Sequence, residues 1–427
     1  MNYFANTRYV LLLAFSIVTG CNVPVTESIN AGDALAYSVR YTVAISRGSD
    51  EVDVSMRVGQ NRALLREVRF RRNPAISDLR VDGKEVALSD EITWQPPASG
   101  GTLQWKAKLA HQRGNSHFDA LLTEEWGIFR AEDLIPRAAT RVIKGAYSKT
   151  VIEFDLPKNW SVVTPYEESD DRYAVNKADR NFDQPSGWIA VGNLGIRRET
   201  IAGVKVAVAA PVGHDVRRMD ILALLNWTLP ELARVLDTLP ARLTIVSGSD
   251  PMWRGGLSGP GSLYIHADRP LISENATSTL LHEVMHSILR QTATTEHDWI
   301  VEGFAEYYSL ELLRRSGTIS ESRYRKAISD QREWAESADA LCRQSSKAAT
   351  TALAVTVMHE LDDEMRKQSA DAISLDDVLQ ALQRDPDRIS LDILQRSVTA
   401  LLGQPPAALQ LDNLPGCRSI QTKSEES

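Results

Sequence analysis

The chain has 427 residues, 43% hydrophobic and 24% charged, the balance of a globular protein long enough for two or three domains. Its 56 acidic and 48 basic side chains leave a net charge of −8, which argues against a nucleic-acid partner. Its 3 cysteines lack C-x-x-C and H-x-C spacing, which argues against a thiolate metal site and against cysteine catalysis.

Residues 1–20 have the pattern of a signal peptide: Arg8, an apolar run from Val10 to Val18, then small residues. The run is too short to span a bilayer comfortably. Val18-Thr19-Gly20-Cys21 resembles a bacterial lipobox. That resemblance implies cleavage before Cys21, lipid attached there, and a cell-envelope lipoprotein facing the periplasm. Asn22 points to the outer membrane. Residues 21–33 then read as a polar tether. Export places the chain in an oxidising space, where Cys342 and Cys417 are an even pair able to form a disulfide.

Residues 34–211 read as strands. Ala36–Val43, Val52–Val58 and Thr102–Leu109 alternate apolar with polar, and Val81-Asp82-Gly83-Lys84 supplies a hairpin turn. Val151–Leu156 and Gly203–Ala209 add further strands, and together these predict a β-sandwich domain. The local basic run Arg66, Arg69, Arg71 and Arg72 alternates with Val68 and Phe70, as the wet face of a strand would.

Residues 212–417 are mainly helical. Val216–Leu239 predicts a helix interrupted near Pro230. Arg242–Val246 predicts a strand, and further helices are expected over Glu321–Cys342, Thr350–Lys367, Leu375–Gln383 and Leu391–Leu402. Residues 418–427 form a polar tail.

Within this half lies His282-Glu283-Val284-Met285-His286. Leu280, Leu281, Val284, Met285, Ile288 and Leu289 recur at helical spacing, with Ser273 as the expected N-cap and Glu274 in the first turn. Residues four apart share one helix face, so both imidazoles can reach one metal ion. Glu283, displaced around the helix, can hold the attacking water instead of the metal. A catalytic zinc takes three protein ligands. Glu302, 16 residues after His286, is the third, in the first turn of a helix capped by Asp298 and stopped by Gly317. Gly303 is expected to let the two helices approach closely. Glu306, one turn beyond Glu302, can accept a hydrogen bond from a ligating His and fix its tautomer.

H-E-x-x-H followed by Trp299-Ile300-Val301-Glu302-Gly303-Phe304-Ala305-Glu306-Tyr307 resembles the gluzincin metallopeptidases, in particular the group of aminopeptidase N and the glycyl aminopeptidases. The resemblance covers residues 31–402 and is strong from Trp253 to Tyr308. It implies a β-sandwich followed by a thermolysin-like, mainly helical zinc-peptidase domain. It also implies one zinc ion on His282, His286 and Glu302, Glu283 as general base and proton shuttle, and a peptide or protein substrate. Trp253-Arg254-Gly255-Gly256-Leu257-Ser258, followed by Ser262–Ile265, is similar to the family's substrate-binding edge strand. Gly255, Gly256, Leu257 and Ser258 are then substrate-binding residues, with Ser262–Ile265 expected to pair with the extended substrate. Ser374–Leu379 is similar to the glycyl aminopeptidases as well. Two positions depart from the pattern. Ser258 stands where the family has an acid for the substrate amine, so exo- and endopeptidase both stay open. No Tyr stands at the expected oxyanion position, which leaves Tyr264, His266, Tyr324 and His359 as candidates. A catalytically weak or inactive peptide-binding protein on the same fold is therefore the alternative.

Overall fold

The computed structural model describes residues 34–418, apart from 72, 115, 176–180 and 385–387. The signal peptide, Cys21, the tether and the tail beyond Arg418 lie outside the described residues. From Ala36 onward the chain is one compact unit.

Alternation builds the first half. In Glu51–Gly59 every second residue is buried, and Val52, Val54, Met56 and Val58 line one face. This strand pairs antiparallel with Ala36–Ala44, which pairs parallel with Tyr147–Asp155. They lie in an eight-stranded sheet. A three-stranded sheet (Ala138–Val142, Leu65–Arg71, Glu91–Trp94) and a five-stranded sheet containing Trp126–Arg130 and Trp188–Gly192 share its core. The expected sandwich is thus a β-rich region of three sheets around one apolar cluster. The basic run behaves as its alternation predicts: Val68 and Phe70 are buried while Arg69 and Arg71 are exposed, Arg69 lying 3.1 Å from Glu67.

The last strand expected in that region, Gly203–Ala209, belongs elsewhere. Leu194–Ile201 and Val204–Pro211 form a hairpin whose second strand pairs parallel with Arg242–Gly248. The sheet order is Leu194–Ile201, Val204–Pro211, Arg242–Gly248, Ser262–His266, Gly256–Gly259. The expected boundary at residue 211 therefore falls inside a sheet. The physical reason is burial: Val204, Val206 and Val208 pack with Ile245, Leu263 and the helices, not with the first core.

Helices cover one face of this sheet. Arg218–Val235 is continuous through Pro230, against the expected break. The H-E-x-x-H helix, Thr279–Leu289, buries Leu280, Leu281, Val284 and Met285 in the same core. The opposite face meets the β-rich region through Trp188, Ile128, Val246, Met252 and Tyr264, with the Trp188 and Tyr264 rings 5.3 Å apart. Further helices run over Asp298–Arg315, Glu321–Ala335, Ala349–Ser369, Leu375–Arg384 and Leu391–Leu402. Cys342 and Cys417 form a disulfide that ties the chain end to the segment before Ala349–Ser369.

Candidate metal centre

The H-E-x-x-H helix is fixed at both ends. Its cap is Ser278, whose hydroxyl accepts from Leu281 N at 3.3 Å. Ser273, the expected cap, closes the preceding turn instead, its hydroxyl accepting from Thr277 N at 3.1 Å. Ala276 lies between them at φ +62°, outside helical space, so Glu274 precedes the helix. Near the other end Ser287 Oγ donates to Ser262 O at 2.8 Å, pinning the helix to the sheet.

The next helix, Asp298–Arg315, brings the acids. Its N-cap is His297; Asp298 is its first residue, and its carboxylate accepts from Ser346 N at 2.7 Å. That bond ties the helix start to the approach of Ala349–Ser369. Gly303 serves a different neighbour from the one expected. A Cβ there would lie 3.0 Å from Ala354 Cβ and 3.3 Å from Met358 Cε, so the close approach is to Ala349–Ser369, not to the H-E-x-x-H helix. Gly317, at φ +70°, follows the helix end as predicted.

Three donors converge. His282 Nε2 lies 3.0 Å from His286 Nε2 and 3.4 Å from Glu302 Oε2, and His286 Nε2 lies 3.3 Å from Glu302 Oε1. These three residues form the one such metal-capable group among the described residues. A tetrahedral zinc with bonds of about 2.0–2.1 Å needs donor atoms about 3.3 Å apart. Two imidazole nitrogens facing each other beside a carboxylate suit a cation between them. The donor set, two N and one O with room for a fourth position, fits zinc.

His282 Nδ1 donates to Glu306 Oε2 at 2.8 Å, which leaves its Nε2 lone pair turned to the centre. Burial would lower the His282 pKa, but hydrogen bonding to Glu302 and Glu306 and their charges outweigh it and raise it. The reverse holds for Glu302: burial pushes it up, and the two imidazoles hold it well below the carboxylate range. Glu283 stands outside this set. Burial raises its pKa, the imidazolium charges and the Ser258 hydroxyl oppose, and burial wins.

Gly256, Leu257 and Ser258 lie on the strand Gly256–Gly259, with Gly255 just before it. This strand, not Ser262–His266, is the sheet edge. Ser262–His266 is paired on both sides, with Arg242–Gly248 and Gly256–Gly259, so it has no free edge for a peptide. The four oxyanion candidates make contacts of their own. Tyr264 donates to Trp253 O at 2.9 Å, and His266 Nδ1 accepts from Asp268 N at 3.2 Å. The Arg314 guanidinium lies over the Tyr324 ring at 5.1 Å, and His359 Nδ1 lies 3.2 Å from Asp363.

Sequence reasoning missed what holds the Glu302 helix from behind. Tyr307 donates to Asp362 at 3.0 Å and Tyr308 to Asp376 at 2.7 Å, while Arg315 clasps Asp376 at 2.7 and 3.0 Å. Glu311 accepts from both Arg314 and Arg315. Asp376 lies inside the Ser374–Leu379 segment noted by resemblance, so the signal was present without its structural meaning.

Residues 278–374 match the M61 glycyl aminopeptidase family. No curated protein matches the chain. Among solved structures, an aminopeptidase N family protein from Idiomarina loihiensis superposes with a TM-score of 0.62 at 16% identity, over 91% of this chain and 75% of the other. An M1 zinc metallopeptidase from Deinococcus radiodurans, solved as a mutant bound to a Tyr-Ser-Ala substrate, gives 0.55 at 16%, over 88% and 92%. Legionella pneumophila aminopeptidase A in complex with aspartic acid gives 0.54 at 12%, over 86% and 48%. At these identities the solved structures speak for the fold, a β-rich region followed by a helical one. The family match covers His282, Glu283, His286 and Glu302 themselves. Residues 278–374 are thus the segment of a gluzincin aminopeptidase-like zinc metallopeptidase, set in a chain whose fold those solved structures share.

Proposed function

We propose that the protein hydrolyses peptide bonds in the bacterial cell envelope, anchored by lipid at Cys21 on the periplasmic side, with the outer membrane as its site. One observation carries the chemistry: His282, His286 and Glu302 converge on one point while Glu283, from the same helix, is left out of the set. His282, His286 and Glu302 would hold a single zinc ion in a thermolysin-like domain. When bound, zinc supplies Lewis acidity, acidifying water toward a pKa of about 7 and polarising a carbonyl. Glu283 takes the proton of the attacking water and delivers it to the leaving amine. Glu306 keeps His282 in the ligating tautomer through Nδ1. An extended peptide adds to the free edge of Gly256–Gly259 by main-chain hydrogen bonds, with Leu257 and Ser258 beside it. That strand carries no charge, so it offers a free amine no ionic anchor, and cleavage inside a peptide is open to it.

The signal pattern supports the location, and the Cys342–Cys417 disulfide fits an oxidising compartment. Among the described residues no helix is long and apolar enough to cross a membrane.

A second reading, a peptide-binding protein with weak or absent turnover, is favoured by the uncharged Ser258 and by the lack of a Tyr at the position where the resemblance implies the oxyanion donor. Losing one oxyanion donor typically costs about 100–1000-fold. The deciding test incubates zinc-loaded protein and its Glu283→Ala variant with a mixed peptide library and reads new termini by mass spectrometry. Cleavage by the wild type alone supports the peptidase. Peptides bound but left intact by both support the second reading. Equal cleavage by both removes Glu283 as the base. For the anchor, mass spectrometry of the mature amino terminus should find acyl chains on Cys21, and Cys21→Ser should release the protein from membranes.

A further inference from the structure

We propose that Gly256, on the substrate strand, is a positioning residue for the general base: the space its missing Cβ leaves is the seat of the Glu283 side chain. This rests on the peptidase reading above.

A Cβ built on Gly256 would stand 2.6 Å from Glu283 Cγ, 2.9 Å from Glu283 Oε1 and 2.8 Å from Thr279 Cγ2. None of these neighbours can step aside cheaply. Glu283 Cγ lies mid-chain in a side chain only 9% exposed. Thr279 is β-branched and sits in the first turn of the helix, where its rotamers are few. Backbone conformation does not explain the glycine, because Gly256 is not among the positive-φ glycines. What the position requires is volume.

The alternation of the strand agrees. Residues two apart share a face, so Ser258 points the same way as Gly256, and its side chain is among the groups that draw the Glu283 pKa down. Gly259 points the other way: a Cβ there would meet Trp188 Cδ1 at 3.2 Å, across the seam. One face of a four-residue strand thus seats the base, by absence at Gly256 with Ser258 on the same side, while the strand's free edge takes the peptide. Ser258, neutral where the family resemblance implies an acid, faces the base.

The test uses the zinc-loaded enzyme and separates kcat from KM. Gly256→Ala should lower kcat by about 100-fold, the cost of roughly an ångström of misplacement, with KM held within about threefold and zinc content unchanged. Ser258→Ala should lower kcat by roughly 10-fold, and Ser258→Thr, which keeps the hydroxyl, should restore most of it. The Ser258 pair carries the test if Gly256→Ala fails to fold. In a Glu283→Ala, Thr279→Ser background, where neither the Glu283 chain nor the Thr279 methyl remains to displace, Gly256→Ala should leave calorimetric affinity for an uncleaved peptide unchanged. The proposal is overturned if Gly256→Ala keeps its kcat, if the loss falls on KM, or if peptide affinity drops in the Glu283→Ala, Thr279→Ser background. If Glu283→Ala cleaves like the wild type, the peptidase reading itself has failed; if it is dead while Gly256→Ala is normal, only the seat is wrong.

Discussion

The metal cradle and the edge strand lie against each other and are built on opposite principles. The cradle is all charge: two imidazoles and two carboxylates within 3.4 Å of a partner, each restraining the next. The strand is Gly256-Leu257-Ser258-Gly259, uncharged, and its fit comes from atoms that are missing. The cradle's geometry is local, because residues four apart on a helix meet whatever surrounds them. The strand's geometry is tertiary, because only folding brings residue 256 to residue 283. Substitutions in the cradle should therefore act through the metal, and substitutions in the strand through placement and substrate.

The largest effect should come from removing a donor. His286→Ala is expected to abolish zinc retention and cleavage together, read by metal analysis after dialysis and by peptide assay. Leu257→Ala on the strand should keep its full zinc content and raise KM. If His286→Ala retains stoichiometric zinc, the cradle has been assigned wrongly. Next in size is Glu306→Ala, which leaves all three donors but frees His282 Nδ1. Zinc affinity should fall by about 10–100-fold, measured by competition with a chelator. An unchanged affinity would reduce Glu306 to a surface charge.

Behind the cradle, the ion pairs of the Glu302 helix should matter for stability more than for chemistry. Asp376→Ala would strip Arg315 and Tyr308 of their shared acceptor. Breaking a buried pair on one side costs about 3–5 kcal/mol, and the partial exposure of this one puts the expectation near 3 kcal/mol in urea unfolding. A change under about 0.5 kcal/mol would place it among ordinary surface substitutions.

How much of this was legible follows the same division. The two imidazoles, Glu302 and Glu306 stood in the sequence because helical period and residue type suffice to place them on facing helices. The cap was misread because Ser273 and Ser278 are equally good by type. The left-handed backbone at Ala276, which decides between them, has no signal in an alanine. Which of two neighbouring strands is the edge was misread because sheet order depends on contacts far apart in the chain. The fully apolar burial of Ser262–His266 is what an interior strand shows. Gly303 was rightly taken for a close approach and wrongly partnered, since a missing side chain does not name its neighbour.

The smallest expected effect tests the charged side of the comparison without the metal. Burial pushes the Glu311 carboxyl up, but hydrogen bonds from Arg314 and Tyr324, then the Arg314 and Arg315 charges, bring it down to about 2. Its ordinary value is 4.5, so the native state binds fewer protons than the unfolded chain between those values. The stability Glu311 contributes is thus complete above pH of about 4.5 and is lost as pH falls toward about 2, at most about 3 kcal/mol in all. Acid also strips zinc from imidazoles, so the comparison belongs in metal-free protein. There the wild type should lose stability more steeply than Glu311→Gln across that window, and the two curves should run parallel above it. Parallel curves throughout would mean that Arg314 and Arg315 are held by packing, and that charge organises only the face of the helix that meets the metal.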